Sequence, residues 1–208
     1  MQTSSAKYNL LAQLAGPAQT LLDVGCGGGE LALAVTPEKQ VIDGVDISLA
    51  RLGDRRRSYR NLWEMDVENP AASVPYGDYS ALIFADVLEH LQRPSELLLR
   101  VGSVMQDEAA LIVSLPNVAF WTNRLGLLCG QWEYQDEGIL DRTHLHFYTL
   151  QSARDLIRST GFEIETEVAE VPILSRPIKQ KIFAQATASW PQMFAIGWAF
   201  KAYKTQRH

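Results

Sequence analysis

Short apolar runs alternate with segments of helical periodicity through the first 116 residues. Five such runs have the length of β-strands, and the fourth is apolar enough to be buried on both faces of a parallel sheet. In chain order the runs are "QTLLDV", "QVIDGVDIS", "NLWEMDV", "YSALIFADV" and "AALIVSLP". The alternation of strand and helix predicts an α/β, doubly wound fold with a mostly parallel sheet and right-handed crossovers.

Capping and stop signals place the helices between these strands. Ser4 or Ser5 caps a predicted first helix that ends at the pair Gly16-Pro17. Shorter helices are predicted from about residue 30 to 35 and from Ser48 toward residue 57. Pro94 suits the first turn of another helix. Thr149 caps a later helix, which ends at residue 161.

The regular pattern breaks after the fifth strand. Residues 117–148 form a longer connection, with a predicted helix over about 118–128 and then a polar and aromatic loop. "FEIETEVAEV" and "MFAIGWAFKAY" predict two further strands. We therefore expect one domain over residues 1–208. Its parts are an N-terminal helix (1–19), a cofactor-binding half (20–116), a substrate-covering insert (117–150), and a C-terminal helix with strands (151–208).

Composition and charge narrow the range of partners and compartments. The 208 residues carry a net charge of −5, so we expect no nucleic-acid partner, which usually needs a basic face. The run of arginines at 55–57 is read as a solvated helix end. Cys26 and Cys129 lack metal-ligand spacing and predict a reducing, cytoplasmic location. The sequence shows no signal-peptide layout and no apolar run long enough to span a membrane.

The segment "LLDVGCGGGELALAV" places a glycine-rich turn directly after the first strand. Such a turn lets a ligand approach the backbone, because glycine has no Cβ. Its register Gly27-x-Gly29-x-x-Ala32 matches a dinucleotide fingerprint, and Asp46 is placed to bind ribose hydroxyls. A P-loop is excluded, since no Gly-Lys-Ser/Thr follows. The glycines alone therefore leave a dinucleotide and a phosphate-free cofactor both open.

Asp23 favours the phosphate-free cofactor. A carboxylate at the mouth of the turn repels a pyrophosphate but suits a ligand that carries an ammonium and a sulfonium group. Together with Asp66, which is available for an adenine amino group, this pattern indicates S-adenosylmethionine. An NAD(P)-linked oxidoreductase and a non-catalytic S-adenosylmethionine-binding module remain alternatives.

Four segments of the sequence resemble the successive motifs of class I S-adenosylmethionine-dependent methyltransferases: "LLDVGCGGGEL", "GVDIS", "MDVEN" and "ADVLEHLQRPSELL". The stretch from "SLPNVAF" to "LDRTHLHFYTL" is similar to a subgroup associated with glycan and polysaccharide biosynthesis. The resemblance implies a Rossmann-like, seven-stranded sheet whose last strand is antiparallel and lies beside the fifth strand. It also implies a helical and loop insert over the substrate.

The resemblance also implies roles for individual residues. The methionine part of the cofactor would pack on Gly25, Cys26, Gly27 and Gly29, and its amino end would be oriented by Asp23. Asp46 would bind the ribose. Ile47 would pack on the adenine, and Asp66 would meet the adenine amino group, flanked by Met65 and Val67. The reactive end would be lined by Ala85, Asp86 and Val87.

Methyl transfer from a sulfonium is an in-line displacement, so alignment and exclusion of water are the main contributions of the protein. We expect a hydroxyl acceptor on a small molecule or a glycan, with S-adenosylhomocysteine as the second product. Such an acceptor needs a proton acceptor. We favour His144, with Asp141 as its orienting partner, and His90 is the second candidate. The competing interpretations are that His90 closes the cofactor pocket and that "DRTHLHF" is a structural clasp. We expect no metal, because the sequence shows no convincing cluster of carboxylate and histidine ligands.

Overall fold

The computed structural model describes residues 2–36, 38–174 and 176–205. Seven strands form one sheet in the order β3-β2-β1-β4-β5-β7-β6. The strands are β1 (Thr20–Val24), β2 (Val41–Asp46), β3 (Leu62–Glu64), β4 (Ala81–Ala85), β5 (Ala110–Pro116), β6 (Phe162–Glu170) and β7 (Gly197–Lys204). The helices are α1 (Gln2–Ala15), α2 (Pro94–Val104), α3 (Trp121–Leu128), α4 (Leu150–Ser159), α5 (Pro177–Ser189) and α6 (Pro191–Phe194).

The order of the strands along the sheet reverses between β1 and β4. β1 pairs in parallel with both β2 and β4, and β4 pairs in parallel with β5. β7 is antiparallel to β5 on one side and to β6 on the other. The predicted doubly wound sheet, with its antiparallel last strand beside β5, is confirmed. The switch point at β1 and β4 is where ligands bind in such sheets.

Two hydrophobic clusters cover the two faces of the sheet. Leu82 and Phe84 of β4 pack on one face with Leu98 of α2, while Ile83 packs on the other face with Leu11 of α1. All five side chains are inaccessible to solvent. The continuous apolar run of β4 follows from this burial on both faces.

Several element boundaries differ from the prediction. α1 begins at Gln2, ahead of the predicted Ser4 or Ser5 cap. The helix expected after the glycine turn is only a 3₁₀ segment, Leu31–Leu33. α3 begins three residues later than predicted, because Asn117 bridges to Tyr148 and the Val118 amide donates to the Tyr148 carbonyl. Capping of α4 by Thr149 is confirmed, with a reciprocal Ser152 hydrogen bond.

The C-terminal region holds two helices that the sequence pattern did not predict. α5 has a single buried residue, Thr187, so it lacks the apolar stripe that reveals a helix. Pro191 begins α6, and the last strand therefore starts at Gly197 instead of Met193. Within the described residues, none of the helices is both long enough and apolar enough to cross a bilayer.

Candidate functional site

The glycine turn joins β1 to β2 and packs against the loop after β4. The Gly25 and Cys26 amides both donate to the Val45 carbonyl, at 2.7 and 3.2 Å. Gly25 has a φ of +74°, and a Cβ there would lie 2.5 Å from a Val87 methyl group. Only glycine fits this position, because both its backbone conformation and the close approach of Val87 exclude a side chain. The turn therefore brings Gly25 and Val87 into contact, two residues that were both predicted to bind the cofactor.

Asp23 lies below the turn and is buried. Its carboxylate accepts a hydrogen bond of 2.6 Å from the Tyr59 hydroxyl. Burial raises the pKa of Asp23 to about 7, against the lowering effect of the Tyr59 hydrogen bond and with a further rise from Asp46. A cationic ligand group near this carboxylate would favour its charged form. The sequence did not reveal Tyr59, since it lies 36 residues away.

Asp46, the last residue of β2, is tied to the same turn. Its two oxygens accept hydrogen bonds from the Gly27 amide at 2.8 Å and the Ser48 amide at 2.9 Å. The next side chain, Ile47, is 70% exposed. Because each carboxylate oxygen has a second lone pair, Asp46 can still accept hydrogen bonds from ribose hydroxyls.

The segment after β3 holds the residues predicted to surround the adenine. The Met65 amide donates to the Asp46 carbonyl at 2.8 Å, which places this segment beside the end of β2. The exposed carboxylate of Asp66 accepts a hydrogen bond from the Glu68 amide at 2.9 Å. Val67 is buried and Met65 packs against the same hydrophobic cluster. These three residues therefore lie beside the end of β2, and their contact with an adenine stays a prediction.

Asp86 follows Ala85 at the end of β4 in a strained backbone conformation, with a φ of +52°. Its amide donates to the Ser114 hydroxyl, which in turn donates to the Asp86 carboxylate. The Lys7 ammonium group of α1 pairs with the same carboxylate and lies 3.5 Å from Glu170 at the end of β6. Burial lowers the pKa of Lys7, but the two carboxylates outweigh this effect and raise it. α1 therefore covers the predicted reactive end of the site.

His144 and His90 meet although they lie on different segments. Their ring centroids are 4.7 Å apart, and His144 is 9% exposed. His144 Nδ1 lies 3.2 Å from the Ile139 carbonyl. Because a carbonyl only accepts, Nδ1 carries a proton, and in the neutral ring Nε2 is then unprotonated. Nε2 lies 4.0 Å from Glu89 Oε1. The pKa of His144 is lowered, mainly by burial and to a smaller extent by the neighbouring His90.

Asp141 does not orient His144, contrary to the prediction. Its carboxylate accepts hydrogen bonds from the Thr143 amide at 2.7 Å and the Thr143 hydroxyl at 2.6 Å. The Thr143 hydroxyl lies 3.1 Å from His90 Nδ1. Because that hydroxyl donates to Asp141, it accepts from His90. Asp141 therefore acts on His90 through Thr143, while the Ile139 carbonyl orients His144.

Glu89 joins the two histidines. Its side chain is wholly buried, and burial raises its pKa well above the ordinary value. The Leu145 and His146 amides donate to the Glu89 carbonyl, at 2.8 and 3.0 Å, so "DRTHLHF" is clasped onto the loop after β4. Ligand atoms of Glu89, His90 and His144 all lie within 4.8 Å of one another. The sequence showed no such cluster because His144 is remote from the other two along the chain.

A family model described as a methyltransferase domain matches residues 4–167 of this chain. Ubiquinone biosynthesis O-methyltransferase from Xanthomonas campestris is 30% identical over 112 residues, and this match covers 51% of the chain and 46% of that relative. The chain thus matches about half the length of this curated relative.

Solved structures share the fold. A SAM-dependent methyltransferase from Archaeoglobus fulgidus has a TM-score of 0.66 at 19% identity, with 98% of this chain and 94% of that chain covered. Magnesium protoporphyrin IX methyltransferase from Synechocystis, solved with bound SAH, has a TM-score of 0.63 at 16% identity, with 98% and 83% covered. The family match favours S-adenosylmethionine over NAD in the glycine turn. From the extent of that match, the chain belongs to the methyltransferase domain family.

Proposed function

We propose that this chain transfers a methyl group from S-adenosylmethionine to a hydroxyl oxygen of a small-molecule or glycan acceptor. The acceptor oxygen bonds to the methyl carbon as the carbon–sulfur bond breaks. The electron pair of that bond stays on sulfur, which gives S-adenosylhomocysteine. The hydroxyl proton passes to His144 Nε2. The observation that carries this assignment is the Nδ1–H bond of His144 to Ile139, which leaves Nε2 free to accept a proton.

The cofactor is proposed to lie across the carboxyl ends of β1, β2 and β4. The glycine turn would pack on its methionine part, and Asp23 would face its ammonium group. Asp46 would bind the ribose, and the segment of Asp66 would border the adenine. Support for this placement comes from the hydrogen bond of Gly27 to Asp46, which ties the turn to the ribose-binding acid.

Aromatic side chains beside His144 support an acceptor with a ring. Phe147 lies 6.0 Å from His144 and 5.3 Å from Trp132, measured between ring centroids. Trp132 is 37% exposed and Tyr134 is 53% exposed, so this aromatic group presents open surface. Flat apolar faces of this kind pack against phenolic or sugar rings. The Xanthomonas relative is an O-methyltransferase, which supports oxygen as the acceptor atom.

The reaction is proposed to take place in the cytoplasm. Cys26 and Cys129 are both free thiols, and Cys129 is exposed. Free, exposed thiols are typical of proteins in a reducing compartment. Fractionation of cells that express the protein tests this location directly.

Replacing His144 tests the proton acceptor. With a panel of phenolic and sugar acceptors, release of S-adenosylhomocysteine measures turnover. We expect His144→Ala to lower kcat by about 10²- to 10⁴-fold, the usual contribution of a general base, with the KM for S-adenosylmethionine unchanged. His146→Ala is the matched control. The His146 imidazole lies 3.4 Å from the Gln92 carbonyl and does not belong to the cluster of Glu89, His90 and His144. An unchanged kcat for His144→Ala would contradict the assignment. If no acceptor gives turnover, hydroxyl methylation itself is wrong.

A further inference from the structure

The cluster of Glu89, His90 and His144 offers three ligand atoms of the types that bind transition metals. Their donor atoms converge to within 4.8 Å from two segments of the chain. The loop after β4 supplies Glu89 and His90, and the clasp after α3 supplies His144. A carboxylate and two imidazoles form a ligand set known from catalytic zinc sites.

Both imidazoles are already held in the orientation that a metal ligand needs. Metal-binding histidines nearly always donate their second ring N–H to a carbonyl or another fixed acceptor. Nδ1 of His144 lies 3.2 Å from the Ile139 carbonyl. Nδ1 of His90 lies 3.3 Å from the Thr143 carbonyl and 3.1 Å from the Thr143 hydroxyl. Each histidine therefore keeps its Nε2 lone pair free.

Glu89 supplies an independent indication of a missing cationic partner. It is 0% exposed, and neither carboxylate oxygen accepts a hydrogen bond from any residue described in the structure. Buried carboxylates are normally hydrogen-bonded, paired with a cation or bound to a metal. Lys7, the nearby ammonium group, is taken up by Asp86 and Glu170. Glu89 therefore lies buried beside two imidazoles with no hydrogen-bond partner among the described residues.

We propose that Glu89, His90 and His144 bind a divalent first-row transition ion of the zinc class. Imidazole ligands select such ions over magnesium and calcium, which prefer all-oxygen sites. Metal–ligand distances near 2.1 Å require donor atoms about 3.4 Å apart, so the site closes slightly on binding. The exposed His90 ring can make that movement. Three protein ligands leave a fourth position open.

The catalytic consequence rests on the proposed hydroxyl methylation. An acceptor hydroxyl in the open position would lose its proton to solvent more readily, because coordination to the ion lowers its pKa. His144 is then a ligand, and its role as proton acceptor applies to the metal-free protein. The binding site itself does not depend on the reaction.

Metal titration of tag-free protein tests the site without any acceptor. In a Cys129→Ser background, which removes the exposed thiol, we expect one Zn²⁺ per chain by calorimetry. Co²⁺ should give visible d–d bands of a four- or five-coordinate site. Glu89→Gln, His90→Ala and His144→Ala should each weaken Zn²⁺ binding at least tenfold, since even loss of an outer-shell partner of a metal ligand costs about that much. His146→Ala is the control and should bind as the parent protein does.

His90→Ala keeps the test decisive, since its side chain is exposed and its removal should preserve the fold. Equal Zn²⁺ affinity of His90→Ala, Glu89→Gln and the parent would overturn the proposal, as would absence of Zn²⁺ binding to the parent. Zn²⁺ binding without turnover on any acceptor would instead reject the proposed reaction and keep the site. If the parent protein does not bind Zn²⁺ but turns over without metal, the metal site is rejected and the proposed methyl transfer stands.

Discussion

At the scale of single residues, the buried carboxylate of Asp23 makes cofactor binding sensitive to pH near neutrality. Its pKa of about 7 means that much of the cofactor-free protein carries a proton on Asp23 at neutral pH. The ammonium group of S-adenosylmethionine would favour the charged form, so binding releases that proton. We expect the affinity to rise about tenfold between pH 6 and pH 8, measured by calorimetry in buffers of different ionisation enthalpy.

Two variants separate Asp23 from other titrating groups. Asp23→Asn should weaken binding and remove the pH dependence, whereas Tyr59→Phe should move the midpoint to higher pH, because it removes a hydrogen bond that lowers the pKa of Asp23. A pH dependence that persists in Asp23→Asn would contradict this account.

Asp23 also affects the stability of the cofactor-free protein. Its pKa is raised on folding from an ordinary value of 3.8, so the folded state binds the proton more tightly than the unfolded state. The contribution of Asp23 to the free energy of unfolding therefore falls as the pH rises from about 4 to about 7.

The sequence revealed the site residues that directly follow a strand. It missed the residues that reach the site from other parts of the chain. Asp46 and Asp86 could be found because the carboxyl ends of parallel strands meet at one edge of the sheet. Lys7 could not, since nothing in the pattern of α1 shows that it pairs with a residue 79 positions away. The contact of Glu89 with His144 likewise depends on the path of the insert, which has no regular periodicity.

At the scale of elements, one lysine ties α1 to the strand ends that border the site, in addition to the apolar packing of Leu11. Lys7 pairs with Asp86 and Glu170 and so joins α1 to the ends of β4 and β6. We expect Lys7→Ala to lower the free energy of unfolding by roughly 2–3 kcal/mol in urea titrations. This is less than for a wholly buried pair, because Asp86 is partly exposed. Lys179→Ala, at an exposed lysine of α5, should change the free energy by less than about 0.5 kcal/mol. Equal stability of the two variants would show that the ion pair does not hold α1.

Strands and helices with strong patterns could be predicted, and weakly patterned ones could not. β4 and α4 were found from a continuous apolar run and from the Thr149 cap. α5 buries only Thr187, and it exposes Ile178 and Ile182 by 77% and 61%, so its sequence carries no amphipathic signal. After the glycine turn, where the Gly29 amide donates to the Cys26 carbonyl, the chain forms only the 3₁₀ segment Leu31–Leu33.

At the scale of the whole molecule, the sheet order places every proposed cofactor contact on one edge. β1, β2 and β4 end at the switch point, and α1 closes the same edge through Lys7. The place of β7 beside β5 followed from the motif resemblance, whereas its position between β5 and β6 is known only from the structure. The position of "DRTHLHF" over β4 could not be derived in this way, because it depends on tertiary contacts with Glu89.

A ligand that contacts the ends of β1, β2 and β4 together should raise the free energy of unfolding of the whole domain. Binding to the folded state alone adds about 2.7 kcal/mol at a ligand concentration of 100 Kd. For a domain of this size that corresponds to a rise in Tm of about 5–10 °C. We expect S-adenosylmethionine and S-adenosylhomocysteine to produce this shift in thermal unfolding followed by circular dichroism. NAD should leave the Tm unchanged, because its pyrophosphate would approach the carboxylate of Asp46 at the glycine turn. A shift with NAD and none with S-adenosylhomocysteine would reverse the assignment of the glycine turn.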